Sequence, residues 1–320
     1  MSLIAIDLGG TKIAAGVFSS EGDLLHINNI QLNSASGKSV GKLLTDEVSA
    51  LIESSDATVT GIGVSVPGIS NQKLGTVWAP NIEGWDNYPL LQEIKSIAPD
   101  ISVTIESDRS CYILGEMWKG NAIGCSNAIF IAVGTGIGAG IVADGNIIHG
   151  SADIAGAIGW MALHHPYREE YIQCGCFEYN ASGNGIARLA KKLLYEDEMY
   201  NGVLKKVKAG DLTSHDIFTA YDHDDPLAVK VIRNAIQYWG MAIANLVSIF
   251  NPQKIIMGGG VFGPAIKFIP HIYEEAKKWA QPISITQVSI VPSELGNNAG
   301  LYGAGYLALR MPQTKSTPDV

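Results

Sequence analysis

The stretch IDLGGTKIAAGVF, residues 5–17, places Asp7, Gly9, Gly10, Thr11 and Lys12 at the bend between two apolar runs. It is not the phosphate loop G-x-x-x-x-G-K-[ST]: the second glycine and the lysine lack that spacing, and no helix follows. An ordinary hairpin turn accounts for the glycines but poorly for the acid and the lysine. A second glycine bend, GTGIGA, contains Gly134, Thr135 and Gly136. It matches the loose dinucleotide fingerprint, but the residues after it are β-branched and broken by Asp144-Gly145. They read as strand and turn, so the helix N-terminus that would hold a pyrophosphate is missing. What remains is a backbone-amide role. Glycine lets the main chain approach a phosphate, and consecutive N–H groups in a bend form an anion-binding concavity. Gly9-Gly10-Thr11 and Gly134-Thr135-Gly136 each add a threonine hydroxyl as a further donor. Gly258, Gly259 and Gly260, after a strand, offer bare backbone on which a flat base and ribose could lie. Together the three sites suggest a nucleotide cleft.

The elements that must position these groups follow from periodicity. Residues 3–33 predict three strands with turns at Gly9-Gly10 and at Glu21-Gly22-Asp23. Helical spacing of apolar residues covers 38–54. VTGIGVSVPG is a buried-strand run ending at Pro67-Gly68, followed by a helix at 89–98, the strand SVTIES and a helix around 109–119. Residues 128–150, AIFIAVGTGIGAGIVADGNIIHG, repeat the pattern of residues 3–25 with about one residue of slippage. This duplication implies two domains of one topology, each a mixed sheet flanked by helices. A long helix begins at Asp225-Pro226, an N-cap followed by proline at the first helical position, and stops at Asn251-Pro252. The strand KIIMGGG, a helix interrupted or bent by Pro270, the strand QVSIV and the helix LYGAGYLALR complete the chain. Residues 311–320 read as an unstructured tail.

Bulk properties narrow the classes. The 320 residues favour two domains, and 47% hydrophobic with 17% charged residues is a globular composition. A net charge of −9 without a basic cluster argues against a nucleic-acid partner. The longest apolar run, WGMAIANLVSIF, is too short for a membrane span, and Met1-Ser2 leads directly into a strand without a signal peptide. Four cysteines, Cys111, Cys125, Cys174 and Cys176, make no disulfide framework in a chain of this length. The expectation is a soluble cytoplasmic protein.

AIDLGGTKIAAGVF, GIGVSVPG, APNIEGW, AVGTGIGAGIV, IIMGGGV and LGNNAGLYGA, in this order from residue 4 to about 306, resemble the blocks of the ROK family of bacterial sugar kinases and repressors, within the actin-like ATPase superfamily. The resemblance implies an α/β protein of two ribonuclease-H-like domains, about 1–118 and 119–299, with the helix 300–310 packing back on the first. They would close on MgATP and a hexose and transfer the γ-phosphate to a sugar hydroxyl, usually O6. By position, Asp7 matches the acid that organises Mg²⁺ through water. Gly9, Gly10, Thr11 and Lys12 match the first phosphate loop, and Gly134, Thr135 and Gly136 the second. Asp108 matches the general base; standing alone it reads more readily as a cap of the helix that follows, and the surrounding blocks reverse that reading. Gly68, Asn81, Ser107, Trp160 and Glu178 fall at sugar-contact positions. Ser107 stands where the family usually has asparagine. A homodimer is also implied.

One segment departs from the family. GExGH followed by C-x-C-G-x-x-G-C-[LI]-E supplies the family's structural zinc ligands and its sugar-binding glutamate, histidine and final glutamate. Here Ala157 and Trp160 replace the first glutamate and the histidine, Glu169 and Tyr171 replace two cysteines, and only Cys176 and Glu178 keep their places. A tetrahedral site needs four ligands, so no zinc is expected, His164, His165 and Cys174 notwithstanding. Two rival expectations stand beside the kinase: a non-catalytic sugar-binding regulator, although no helix-turn-helix segment precedes the first strand, and a degenerate kinase with a scaffold role.

Overall fold

The computed structural model describes residues 1–208 and 210–310, so the tail expected at 311–320 lies outside the described residues. Two compact units divide the chain: Met1–Gly124 with His149–Ala155 and the described residues from Glu294, and Cys125–Ile148 with Gly156–Ser293.

In the first unit, β1 (Ser2–Leu8), β2 (Lys12–Ser19) and β3 (Leu24–Gln31) form an antiparallel meander, and α1 (Gly37–Ser54) leads to β4 (Val59–Val66), parallel to β1. A small hairpin of β5 (Ile69–Asn71) and β6 (Thr76–Trp78) precedes α2 (Leu90–Ile97), β7 (Ser102–Ser107) and α3 (Asp108–Lys119). The sheet order is β3-β2-β1-β4-β7. Strand side chains alternate faces. Ile4, Ile6 and Leu8 of β1 accordingly pack with Val40, Leu44 and Val48 of α1, while Leu3 and Ala5 pack with Leu301, Ala304 and Ala308 of the last helix, α10 (Ala299–Arg310). Both faces being covered, β1 reads as a nearly continuous apolar run. That helix rides on bare backbone: a Cβ at Gly63 of β4 would lie 1.8 Å from the Ala304 carbonyl oxygen.

The second unit repeats the plan. β8 (Ala128–Val133), β9 (Ile137–Ala143) and β10 (Asn146–Ile147) form the meander. Then come α4 (Cys176–Ala181), α5 (Gly183–Glu196), α6 (Ser214–Tyr221), α7 (Pro226–Phe250), β11 (Lys254–Gly258), α8 (Ile269–Ala276), α9 (Pro282–Ile285) and β12 (Ser289–Pro292). The order β10-β9-β8-β11-β12, with β11 parallel to both β8 and β12, is the order of the first sheet. The duplication read from the strands therefore extends to the whole sheet. Asp225 caps α7 by accepting from the Leu227 and Ala228 amides, and Asn251 ends it in the left-handed region at φ 43°. Trp239 at the middle of α7 is fully buried and donates to the Ala181 carbonyl. Removing that ring costs about 3–5 kcal/mol by the usual core-truncation scale. Pro270 does not bend a helix. A 3-10 turn covers Pro264–Phe268 and α8 starts afresh at Ile269, with the proline in its first turn, where no amide is needed. Among the described residues no helix is long and apolar enough to cross a membrane.

Candidate active site

In the first unit the acids sit at the ends of β1 and β7, which flank β4 in the sheet. The parallel register places Asp7 opposite Ser65, whose hydroxyl donates to Asp7 Oδ1 at 2.7 Å. Burial pushes the Asp7 carboxyl up to about 6, against the Ser65 bond; the charge of Asp108 raises it further, and Lys12 lowers it. Much of the burial comes from α10, since a Cβ at Gly300 would meet the Asp7 carboxylate at 2.5 Å. The bend itself is closed by the Gly9 amide donating to the Lys12 carbonyl at 2.9 Å, and Gly10, Thr11 and Lys12 are exposed. Asn81 lies beside this bend, 3.5 Å from where a Gly10 Cβ would stand. Gly68 has φ 144° and faces the Trp78 carbonyl too closely for any side chain.

Asp108 follows β7 directly and opens α3. Its Oδ1 accepts from the Arg109 amide at 2.7 Å and from the Ser107 hydroxyl at 3.4 Å, and Tyr112 donates its hydroxyl to Oδ2 at 3.2 Å. Ser107 is the N-cap residue, and no bond runs from its side chain to the second or third helical amide. The backbone amide that the Asp108 carboxylate accepts is that of the adjacent Arg109 and its other donors are hydroxyls, so it does not serve as a helix cap and both oxygens are held in place. Burial raises its pKa, opposed first by the charge of Arg109 and then by these hydrogen bonds. Arg109 Nε also donates to the Ser107 hydroxyl at 3.2 Å. Glu106, a buried acid not singled out from the sequence, accepts from the Ser107 amide at 2.8 Å.

In the second unit the Gly134 amide donates to the Gly136 carbonyl at 2.9 Å, and the Gly183 amide to the Gly134 carbonyl at 2.8 Å. This ties the bend to the start of α5. Behind it opens a pocket of about 510 Å³, lined in part by Gly134, Thr135, Asn184, Arg188, Thr213 and Gly260. The volume lies in the range of sites for small ligands and cofactors. Gly260 and Val261 contribute to its lining, while Gly258 is buried beneath the Phe130 ring and Gly259 (φ 87°) presses on the Val133 backbone. The contributions of α5 and α6 were not read from sequence. Two local signals existed: Ser182 capping α5, and the capping box of Thr213 with Asp216 at α6.

Glu178, in the first turn of α4, accepts from the Ile137 amide at 2.7 Å, and Gly136 and Gly159 leave the space that its carboxylate fills. Burial raises its pKa against that bond and the charge of Arg188. Trp160 ends a 3-10 turn, Ile158–Trp160, with 57% of its surface exposed. In the departing segment Tyr171 is buried among the rings of Tyr179, Tyr167 and His164, with centroids at 5.3, 6.1 and 6.5 Å. Cys176 is buried and Cys174 half-buried, its thiol pushed up by burial. Among the described residues no group of three or more histidines, cysteines and acids is arranged to hold a metal ion.

A five-stranded order used twice, with an acid at one bend and a nucleotide-sized pocket behind the other, defines a protein of the actin-like ATPase fold. The structure is similar to a ROK family glucokinase from Streptomyces griseus in complex with glucose and AMPPNP (TM-score 0.77, 28% identity, 97% of this chain and 100% of that one). It is also similar to a ROK family transcriptional regulator, a homolog of the E. coli MLC protein (TM-score 0.84, 25% identity, 96% of this chain and 77% of that one). In sequence the chain is 34% identical over 315 residues to a glucokinase of Halalkalibacterium halodurans, covering 95% of this chain and 94% of the relative. The ROK family model matches residues 3–311: the chain belongs to the ROK family.

Proposed function

We propose that this chain, an ATP-dependent sugar kinase, transfers the γ-phosphate of ATP to O6 of a hexose, with Asp108 as general base. Asp108 carries this proposal. Its two oxygens are held by Arg109, Ser107 and Tyr112, and burial lifts its pKa toward the range useful for accepting a proton. A sugar hydroxyl is a poor nucleophile, and a carboxylate in hydrogen-bond reach both aims it and takes its proton. The Gly134 bend and its pocket are suited to the nucleotide, while Gly9, Gly10, Thr11 and Lys12 bring amides, a hydroxyl and an ammonium to the phosphates. Asp7 fits Mg²⁺, which takes one or two carboxylates plus phosphate oxygens and waters; when bound, the ion offsets charge on the phosphates. Asp7 binds that hydrated ion more tightly once deprotonated, and Ser65 keeps one of its oxygens oriented.

For the sugar, Glu178 spends one oxygen on Ile137 and keeps the other for a hydroxyl, while Trp160 offers an exposed apolar plate. With Ala157 in place of an acid, the end of the sugar away from the reacting hydroxyl is read loosely, because fewer buried polar groups are left unpaired by a wrong substrate. Gly68, Asn81 and Ser107 complete the sugar-contact set. ADP release measured against a panel of hexoses and C1-substituted glycosides tests this directly. Turnover of several sugars with modest KM values is expected. Sugar binding without ATP turnover would favour the regulator reading, which the likeness to a transcriptional regulator supports.

A further inference from the structure

Residues His149–Ala155 belong to the first unit, although the chain on either side of them belongs to the second. What fastens them is concentrated at the end of β7. His149 Nε2 lies 2.6 Å from Glu106 Oε2, and Glu106 is 5% exposed. Its other oxygen accepts the Ser107 amide at 2.8 Å. Asp153 accepts from the Gln72 amide at 3.4 Å, and Gln72 Nε2 and the Ser70 hydroxyl both donate to the Ile105 carbonyl, at 2.8 and 2.9 Å. Ile105, Glu106 and Ser107 are the residues immediately before Asp108, so the bonds made by His149, Gln72 Nε2 and Ser70 end on the stretch that leads into the base, and Asp153 reaches that stretch through Gln72.

We infer that His149 is a positioning residue for phosphoryl transfer: its imidazole holds the Glu106 carboxylate, which holds the Ser107 amide and so sets the geometry of Asp108. A buried carboxylate needs a partner, and a charged imidazole supplies both the hydrogen bond and the opposite charge. The groups facing His149 are Glu106 from β7 and Asp153 from its own segment; both favour the imidazolium, the Glu106 hydrogen bond most, and burial opposes them. Close to Glu106 stands the buried Cys111 thiol of α3, which burial and then the Glu106 charge push up. The imidazolium persists to a higher pH than that of a free histidine and is lost as pH rises through the raised pKa, and the clamp weakens with it.

This inference rests on Asp108 acting as the base, and its test separates the two. In wild-type protein the His149 imidazole signal, identified by its absence from His149→Gln, should titrate above the ordinary histidine range and return toward it in Glu106→Gln. The Ser107 and Asp108 amide resonances should each show a step with the same midpoint, and that step should vanish in His149→Gln, leaving only the steps that Asp7 and Asp108 contribute. Amides that ignore the titration overturn the inference, whatever the activity. If they follow it while wild type turns over no sugar, the kinase proposal fails and the clamp stands. With turnover, His149→Ala should lower kcat on the order of 10- to 100-fold and leave the KM for ATP within about twofold, as a small misplacement of a reacting group does. His149→Gln, which keeps a donor, should recover most of kcat and flatten the alkaline limb of the pH profile. The double variant His149→Ala with Glu106→Gln should regain melting temperature and not kcat. Recovery of both together would reduce His149 to a structural pairing and overturn the positioning role.

Discussion

The bend between β1 and β2 and the bend between β8 and β9 stand at the same place in two sheets of the same order, yet they are furnished differently. The last paired residues before and after them are Leu8 and Ile13 in one case and Val133 and Ile137 in the other. One step further down, Asp7 opposite Ala14 corresponds to Ala132 opposite Gly138. The first bend thus has an acid behind it and Lys12 after it. The second has no charge of its own and borrows Arg188 and Lys191 from α5, at the wall of its pocket. The two bends thus stand at equivalent places with different side chains around them; on the function proposed above, the first would manage ionic charge and the second would surround a neutral base and ribose with backbone. Asp108 has a counterpart of neither kind, since it comes from the strand-to-helix junction at β7.

The largest effect expected on the charged side is at the base. Asp108→Asn should lower kcat by roughly 10²-fold or more while nucleotide binding persists. Unchanged turnover would move the base elsewhere. Asp7→Asn should remove most Mg²⁺-dependent turnover and also change stability in a pH-dependent way. The folded pKa of about 6 lies above the ordinary 3.8, so this carboxyl favours the fold fully only below pH 4, and the advantage is lost as pH rises through 6. The whole swing is about 3 kcal/mol at most. Thermal melts should therefore show wild type and Asp7→Asn diverging between pH 4 and 7, the variant becoming relatively more stable. A gap that stays constant over that range would sink the assignment of a strained acid.

On the neutral side, a Cβ at Gly134 would meet nothing within 4 Å, so Gly134→Val should fold normally and occupy the space a nucleotide needs. ATP affinity should fall roughly 10- to 100-fold, with sugar affinity retained, as calorimetry can read. Equal loss of both ligands would point to misfolding. Gly10→Val, whose new side chain meets Asn81, tests the same point at the charged bend. The smallest effect belongs to Trp160→Ala, which should raise the sugar KM several-fold and leave kcat nearly unchanged, since stacking is similar in ground and transition states. No change in KM would place Trp160 outside the sugar's reach.

How far the sequence disclosed this arrangement depends on how local each signal is. β1 and β8 are covered on both faces and so read as apolar runs, and α7 is bracketed by Asp225-Pro226 and Asn251-Pro252, which fix its ends within the chain itself. Gly10 and Gly134 stand out because they follow such strands, Asp7 because it is a lone acid near the end of β1, and Asp108 because it directly follows β7. The pairing of Glu106 with His149 does not, because the two residues are 43 positions apart and nothing near either one announces the other. The pocket walls on α5 and α6 escaped for a related reason: the periodicity of a helix such as α5 says which face it buries, and its cap where it begins, but neither says what its other face will line. Pro270 interrupts the helical pattern but does not bend a helix, because at the first turn a proline begins a new one.

The burial of Asp7 depends on α10, the last described helix, which the ribosome makes only after the entire second unit. Until Leu301, Ala304 and Ala308 arrive, Leu3 and Ala5 on one face of the first sheet lack the helix that covers them. Closing strands from residues 2–8 and 59–66 against a helix at 299–310 is a contact of very long sequence separation, which is slow to form and leaves the open face available to chaperones or to other nascent chains meanwhile. The surroundings of Asp7 are thus completed only when α10, made after the second unit, closes on the first sheet.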